Sequence, residues 1–148
     1  MPLGSSFLFR TSSTRAKWSS RFRWVPATPG APTICETDRR IAEFKFIGWR
    51  GGPESIRQNN LFYDVFDLAS AQTDKRKTLS VLGKEQPLRF LGNNRALASV
   101  FSKNAEISQR FRAAYGEQFH TVNAYWRSVI DLVEIVDLLD VVPAFTQT

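Results

Sequence analysis

Phe119–Val142, FHTVNAYWRSVIDLVEIVDLLDVV, carries the clearest structural pattern in the chain. Phe119, Val122, Trp126, Val129, Val133 and Val136 recur at alternating steps of three and four residues, the seam of an amphipathic helix. The spacing predicts one long helix from Glu117 to Pro143. Within it Asp131, Glu134, Asp137 and Asp140 fall every third residue. A three-residue step turns a helix by about 300°, so these acids spiral slowly and leave most of the circumference apolar. Two readings follow. One is a core helix with a single wet stripe. The other is a helix that also meets a second chain, with Trp126, Val129, Val133 and Val136 as the apolar contact and Asp131, Glu134, Asp137 and Asp140 facing basic groups.

Toward the N-terminus the pattern stays helical. Asn104 suits an N-cap, with Glu106 in the first turn and Ile107, Phe111 and Tyr115 at four-residue steps; Gly116 marks a boundary. Arg95–Lys103 carries Leu97, Val100 and Phe101 inward, after a break at Gly92-Asn93-Asn94 and a turn or short helix over Pro87–Leu91. Ile56, Leu61, Val65, Phe66 and Leu68 share one helical face behind Pro53, and Lys75–Thr78 reads as a linker. Ile41–Trp49, IAEFKFIGW, alternates instead, as a half-buried strand does before the Gly51-Gly52-Pro53 turn. One strand needs a partner, from Arg21–Cys35 or from another subunit. The fold class expected is mostly α: three to four helices, a short β element and a long extended basic N-terminal arm.

Charge divides the chain in two. Residues 1–34 carry five basic side chains and no acid, whereas residues 35–148 carry fifteen basic and fourteen acidic ones, so the formal charge of +6 resides mainly in an arm ahead of a near-neutral, mainly helical domain. Ser5–Trp24, SSFLFRTSSTRAKWSSRFRW, is rich in Ser, Arg and aromatics, the composition of a mitochondrial targeting segment. Lys17, Trp18, Arg21, Phe22, Arg23 and Trp24 also interleave cations with rings, as nucleic-acid contacts do. A third reading lays the arm on a protein neighbour, with Phe7, Phe9, Trp18, Phe22 and Trp24 as anchors and Arg21 and Arg23 beside them. No run approaches the roughly 18 apolar residues of a spanning helix, and a lone Cys35 forms no internal disulfide.

Recognisable chemistry is sparse. One cysteine, Cys35, and one histidine, His120, do not supply a zinc ligand set, and no motif marks them as a nucleophile and base. Gly48, Gly51 and Gly52 miss the GxGxxG spacing, and Gly83-Lys84-Glu85 lacks the remainder of a phosphate loop. Asp64 and Asp67 read as a solvated helix face. No catalytic residue, metal or cofactor is therefore expected. The function expected is that of a structural, supernumerary subunit of a mitochondrial inner-membrane complex, a respiratory complex or ATP synthase. It would lie in the matrix or on the matrix side of the membrane, peripheral to it and bound to other protein subunits. The alternative is a mitochondrial ribosomal protein whose arm touches rRNA.

Overall fold

Alternation along β3 (Arg40–Lys45) sets Ile41, Glu43 and Lys45 on one face of a sheet and Ala42 and Phe44 on the other. A computed structural model describes residues 23–24, 33–36, 39–45 and 54–141, with side chains from Glu36 onward. The partner expected for this strand comes from the stretch read as arm and hinge. β2 (Thr33–Glu36) pairs antiparallel with β3, Ile34 opposite Glu43, and β1 (Arg23–Trp24) pairs antiparallel with β2.

The chain then crosses over. α1 (Glu54–Ser70) returns it so that β4 (Arg76–Val81) lies parallel to β3. Four helices follow: α2 (Glu85–Leu91), α3 (Leu97–Phe101), α4 (Ala105–Tyr115) and α5 (Val122–Val129). β5 (Val133–Asp137) then pairs parallel with β4, and α6 (Leu138–Val141) closes the described chain. The sheet order β1-β2-β3-β4-β5 joins an antiparallel meander to three parallel strands.

This overturns the expectation of a mostly α protein with three or four helices: among the described residues the molecule is mixed α/β, with six helices and a five-stranded sheet. Two stretches account for the difference. Arg76-Lys77-Thr78, read as part of a linker, begins β4, and Thr78–Val81 are all buried. The predicted helix over Glu117–Pro143 is cut into α5, β5 and α6, with a turn closed by Leu132 N–H donating to Val129 O at 2.9 Å. Val129, Ile130, Val133, Ile135 and Val136 are β-branched and favour a pleated surface. Over five residues, an apolar run in a parallel strand also satisfies helical spacing.

Register stacks the helix-facing side chains in three rows. Ile41, Lys77 and Val133 form the first; Glu43, Leu79 and Ile135 the second; Lys45, Val81 and Asp137 the third, at the C-terminal ends of the strands. Leu79, Val81 and Val133 merge with Leu61, Val65 and Leu68 of α1, and with residues of α2–α5, into one core. Its centre is aromatic: the Tyr125 ring lies 5.0 Å from Phe111, 5.3 Å from Phe62 and 5.5 Å from Phe119. The helix ends are fastened individually. Lys77 Nζ donates to Ala69 O (3.0 Å) at the end of α1, Asn104 Oδ1 accepts from Ile107 N–H (3.1 Å) as the predicted cap of α4, and Thr121 Oγ1 accepts from Ala124 N–H (3.3 Å) to start α5.

Candidate functional site

β3 and α1 bring together what the sequence keeps apart. Glu43 lies in the second row of the sheet and Lys45 in the third, two residues on and on the same face. Above them Asp64 falls on the sheet-facing side of α1, three residues after Leu61 and four before Leu68, both buried. Lys45 Nζ stands 2.7 Å from Asp64 Oδ2 and 3.7 Å from Glu43 Oε1. The ammonium is thus a cation between two carboxyl groups, paired closely with one and loosely with the other.

Burial makes the trio unusual. The Glu43 and Asp64 side chains are 3% and 10% exposed, while that of Lys45 is 29% exposed and is the member that reaches water. Glu43 Oε1 is fully buried and makes no hydrogen bond. Burial, reinforced by the neighbouring Asp64, pushes the Glu43 carboxyl up to about 9. Burial also raises the Asp64 carboxyl, against the pull of Lys45. Two carboxylates sharing one ammonium leave an uncompensated buried charge unless one of them holds a proton. Buried carboxyl groups whose protonation is shifted by burial and a specific charged neighbour make the trio the candidate site of this fold.

Its place in the fold is one where ligands are commonly found, toward the C-terminal ends of adjacent parallel strands. The chemistry on offer is that of a hard cation. Carboxylate oxygens suit Mg²⁺ or Mn²⁺, and Mg²⁺ is typically held by one or two carboxylates with the rest of its octahedron left to water and to substrate phosphate. Glu43 and Asp64 meet that need when Glu43 gives up its proton and Lys45 moves aside. Among the described residues no third Asp, Glu, His or Cys joins them, as an all-protein cage would require.

Asp137 ends the third row and does different work. Its Oδ1 accepts from Gly83 N–H (3.1 Å) and Leu139 N–H (3.0 Å), and its Oδ2 from Lys84 N–H (2.8 Å). Burial works to raise this carboxyl, but the three backbone donors outweigh it and hold the group below the usual carboxylate range. Gly83 and Lys84 lie in the turn that leaves β4 and Leu139 in the start of α6 directly after β5, so the side chain ties the two strand ends together.

The residues expected to bind partners are distributed as follows. Trp126, Val129 and Val133 are buried in this chain's own core and Val136 is half-buried; Asp131, Glu134 and Asp140 are exposed, and Asp137 is buried. Glu134 pairs with Arg76 at 2.8 Å and Asp140 with Lys84 at 2.8 Å. Arg23 and Trp24 form β1, while Phe7, Phe9, Trp18, Arg21 and Phe22 lie outside the described residues. Of the acids read as one solvated face, Asp67 is exposed and pairs with Arg110 (2.6 Å), whereas Asp64 is buried at the site. His120 is exposed on the connection between α4 and α5, in a hollow of about 360 Å³ that it shares with Phe101, Arg112 and Phe119.

Sequence reading missed Glu43 and Lys45, although a signal was there. A charge on the apolar stripe of α1, at Asp64, predicts a buried partner, and the charged face of IAEFKF is the one an overlying helix covers. Compared with protein-family models, with curated proteins and with solved structures, the chain matches none.

Proposed function

We propose that this protein is a divalent-cation-dependent hydrolase of phosphodiester bonds in nucleic acid. The observation that carries the proposal is the convergence of Glu43, Asp64 and Lys45 beneath α1. In this reading Glu43 and Asp64 would hold the cation, with Lys45 moved aside, and the cation would bind substrate phosphate. Lys45, the half-buried member that reaches water, would turn toward the phosphoryl oxygens and stabilise their developing charge. A cation held there would supply activation of a water, which would give its proton to solvent as its oxygen bonds to phosphorus. The bond to the leaving oxygen breaks, and that oxygen gains a proton. A polyanionic substrate also suits the basic, aromatic-rich sequence of Ser5–Trp24.

The test is to incubate the purified protein with fluorescently labelled single-stranded and duplex DNA and RNA in Mg²⁺ or Mn²⁺. Cleavage that chelator abolishes, and that Glu43→Gln, Asp64→Asn and Lys45→Met each reduce by about a hundredfold or more, supports the proposal. A wild-type protein inert toward all four substrates, or a Glu43→Gln variant as active as wild type, contradicts it.

A non-catalytic subunit of a mitochondrial inner-membrane complex is the second reading. It draws on Ile130, Leu132 and Val141, which stand 50%, 53% and 62% exposed around β5 at the end of the sheet. Nuclease-insensitive co-migration with such a complex, together with the absence of cleavage, would favour it; nuclease-sensitive co-migration with ribosomal particles would favour an rRNA contact instead.

A further inference from the structure

Acidic residues are unevenly placed along the described chain. Residues 55–63, 86–105 and 118–130 contain Arg57, Arg89, Arg95, Lys103 and Arg127 and not one Asp or Glu, although the domain from Cys35 onward is nearly balanced in charge. The fold brings these three segments together. Arg95 Nη1 donates to Gln58 Oε1 (2.6 Å), joining the connection between α2 and α3 to the first half of α1. Val122 N–H donates to Arg95 O (2.9 Å), Asn123 N–H to Asn93 O (3.1 Å) and Leu97 N–H to His120 O (2.9 Å), fastening the same connection to the start of α5. Ala96 and Thr121 form an isolated antiparallel bridge between them.

The junction is polar and held in place. Asn93 Oδ1 accepts from Arg95 N–H (3.0 Å), Asn123 Nδ2 donates to Asn94 Oδ1 (3.4 Å), and Arg95 Nε donates to Ser99 Oγ (3.0 Å). Arg89, Asn93 and Asn94 are exposed, while Arg95, Gln58 and Asn123 are half-buried. The Asn93, Asn94 and Asn123 amides and the Arg95 guanidinium, fixed by their own hydrogen bonds, are suited to anionic oxygens and base edges. Arg89 lies beside them, and Glu85, one turn before Arg89 on α2, is the flanking carboxylate. α1 also connects this junction to Asp64, since Gln58 lies six residues, about 9 Å of helix rise, before it.

We propose that the surface formed by the α2–α3 connection and the start of α5, around Arg89, Asn94, Arg95 and Asn123, binds the sugar-phosphate backbone of a nucleic acid. The proposal takes its ligand from the functional reading above, but it concerns binding rather than cleavage and is tested without a divalent cation. Binding of a fluorescent oligonucleotide to the full chain is followed by anisotropy in chelator over a range of salt concentrations, with circular dichroism melts confirming that each variant is folded. Reversing charge with Arg89→Glu and Asn94→Asp together should weaken binding by about tenfold or more and lower the salt slope by about one. Asn94→Lys should strengthen binding. Arg76→Glu, at the start of β4 and outside the three segments, should change it little. The assignment is overturned if the wild-type chain does not bind, or if the double variant binds as wild type does. It is equally overturned if Arg76→Glu weakens binding as much as the double variant, or if only reversals at Arg21 and Arg23 have an effect. Loss of cleavage by Glu43→Gln with binding intact would leave this surface standing, and the reverse pattern would leave the catalytic reading standing.

Discussion

Tyr125 and Glu43 are the residues on which burial acts most visibly. The Tyr125 ring is fully buried among five other aromatic rings, and its hydroxyl makes no hydrogen bond. Burial, with Tyr115 adjacent, pushes that hydroxyl well above the usual phenol range. A buried donor without a partner costs about 1–3 kcal/mol, so Tyr125→Phe should raise stability by about 1 kcal/mol in denaturant titration, while Tyr125→Ala removes the ring and costs about 3–5 kcal/mol. Glu43 makes the opposite kind of prediction, one that depends on pH. Its carboxyl is raised in the fold from 4.5 to about 9, so between those values the folded state binds more protons than the unfolded chain. Stability then falls as pH rises through that window. Asp137, held low, acts in the other direction: its contribution is present above the ordinary aspartate range and is lost as pH falls through its lowered folded value. The melting temperature should therefore peak in mild acid and decline toward pH 9, and Glu43→Gln should flatten the alkaline decline while leaving the acid limb in place.

Elements were legible where a local device marks them and illegible where only tertiary packing does. α4 follows from the Asn104 cap and the Ile107–Phe111–Tyr115 spacing, α1 from its apolar stripe behind Pro53, and β3 from strict alternation. β4 was hidden because its first two residues are charged: Lys77 reaches across to cap α1, and Arg76 pairs with Glu134 on the neighbouring strand. β5 was hidden because Val133–Asp137 continues the helical spacing of α5, and only pairing with β4 separates the two. Asp137 belongs to the same lesson. In sequence it is one acid of four at three-residue steps, yet in the fold it takes three backbone N–H groups from the ends of β4 and β5. Asp137→Ala strands those donors and should cost about 2–3 kcal/mol, whereas Asp131→Ala, on an exposed turn, should change stability by less than about 0.5 kcal/mol. Denaturant midpoints of the two variants check this directly.

The parallel strands β3, β4 and β5 hold a helical layer with an aromatic core, and Glu43, Lys45 and Asp64 form a cluster of charged side chains between β3 and α1. The trio lay outside sequence reading because its members are split between a strand and a helix and meet only through the β3–α1–β4 crossover. The basic sequence of Ser5–Trp24, by contrast, is conspicuous as composition, and it is a secondary support for an anionic partner. If the trio is kept for chemistry, it opposes stability, and neutralising it should strengthen the fold while removing cation binding. The most direct test is the melting temperature of wild type and Glu43→Gln at pH 8, each with and without millimolar Mn²⁺. Glu43→Gln should melt higher than wild type without metal, and Mn²⁺ should raise the melting temperature of wild type but not of the variant. A Glu43→Gln protein that melts lower than wild type, or that responds to Mn²⁺ just as wild type does, would make the trio a structural ion cluster and contradict the central claim.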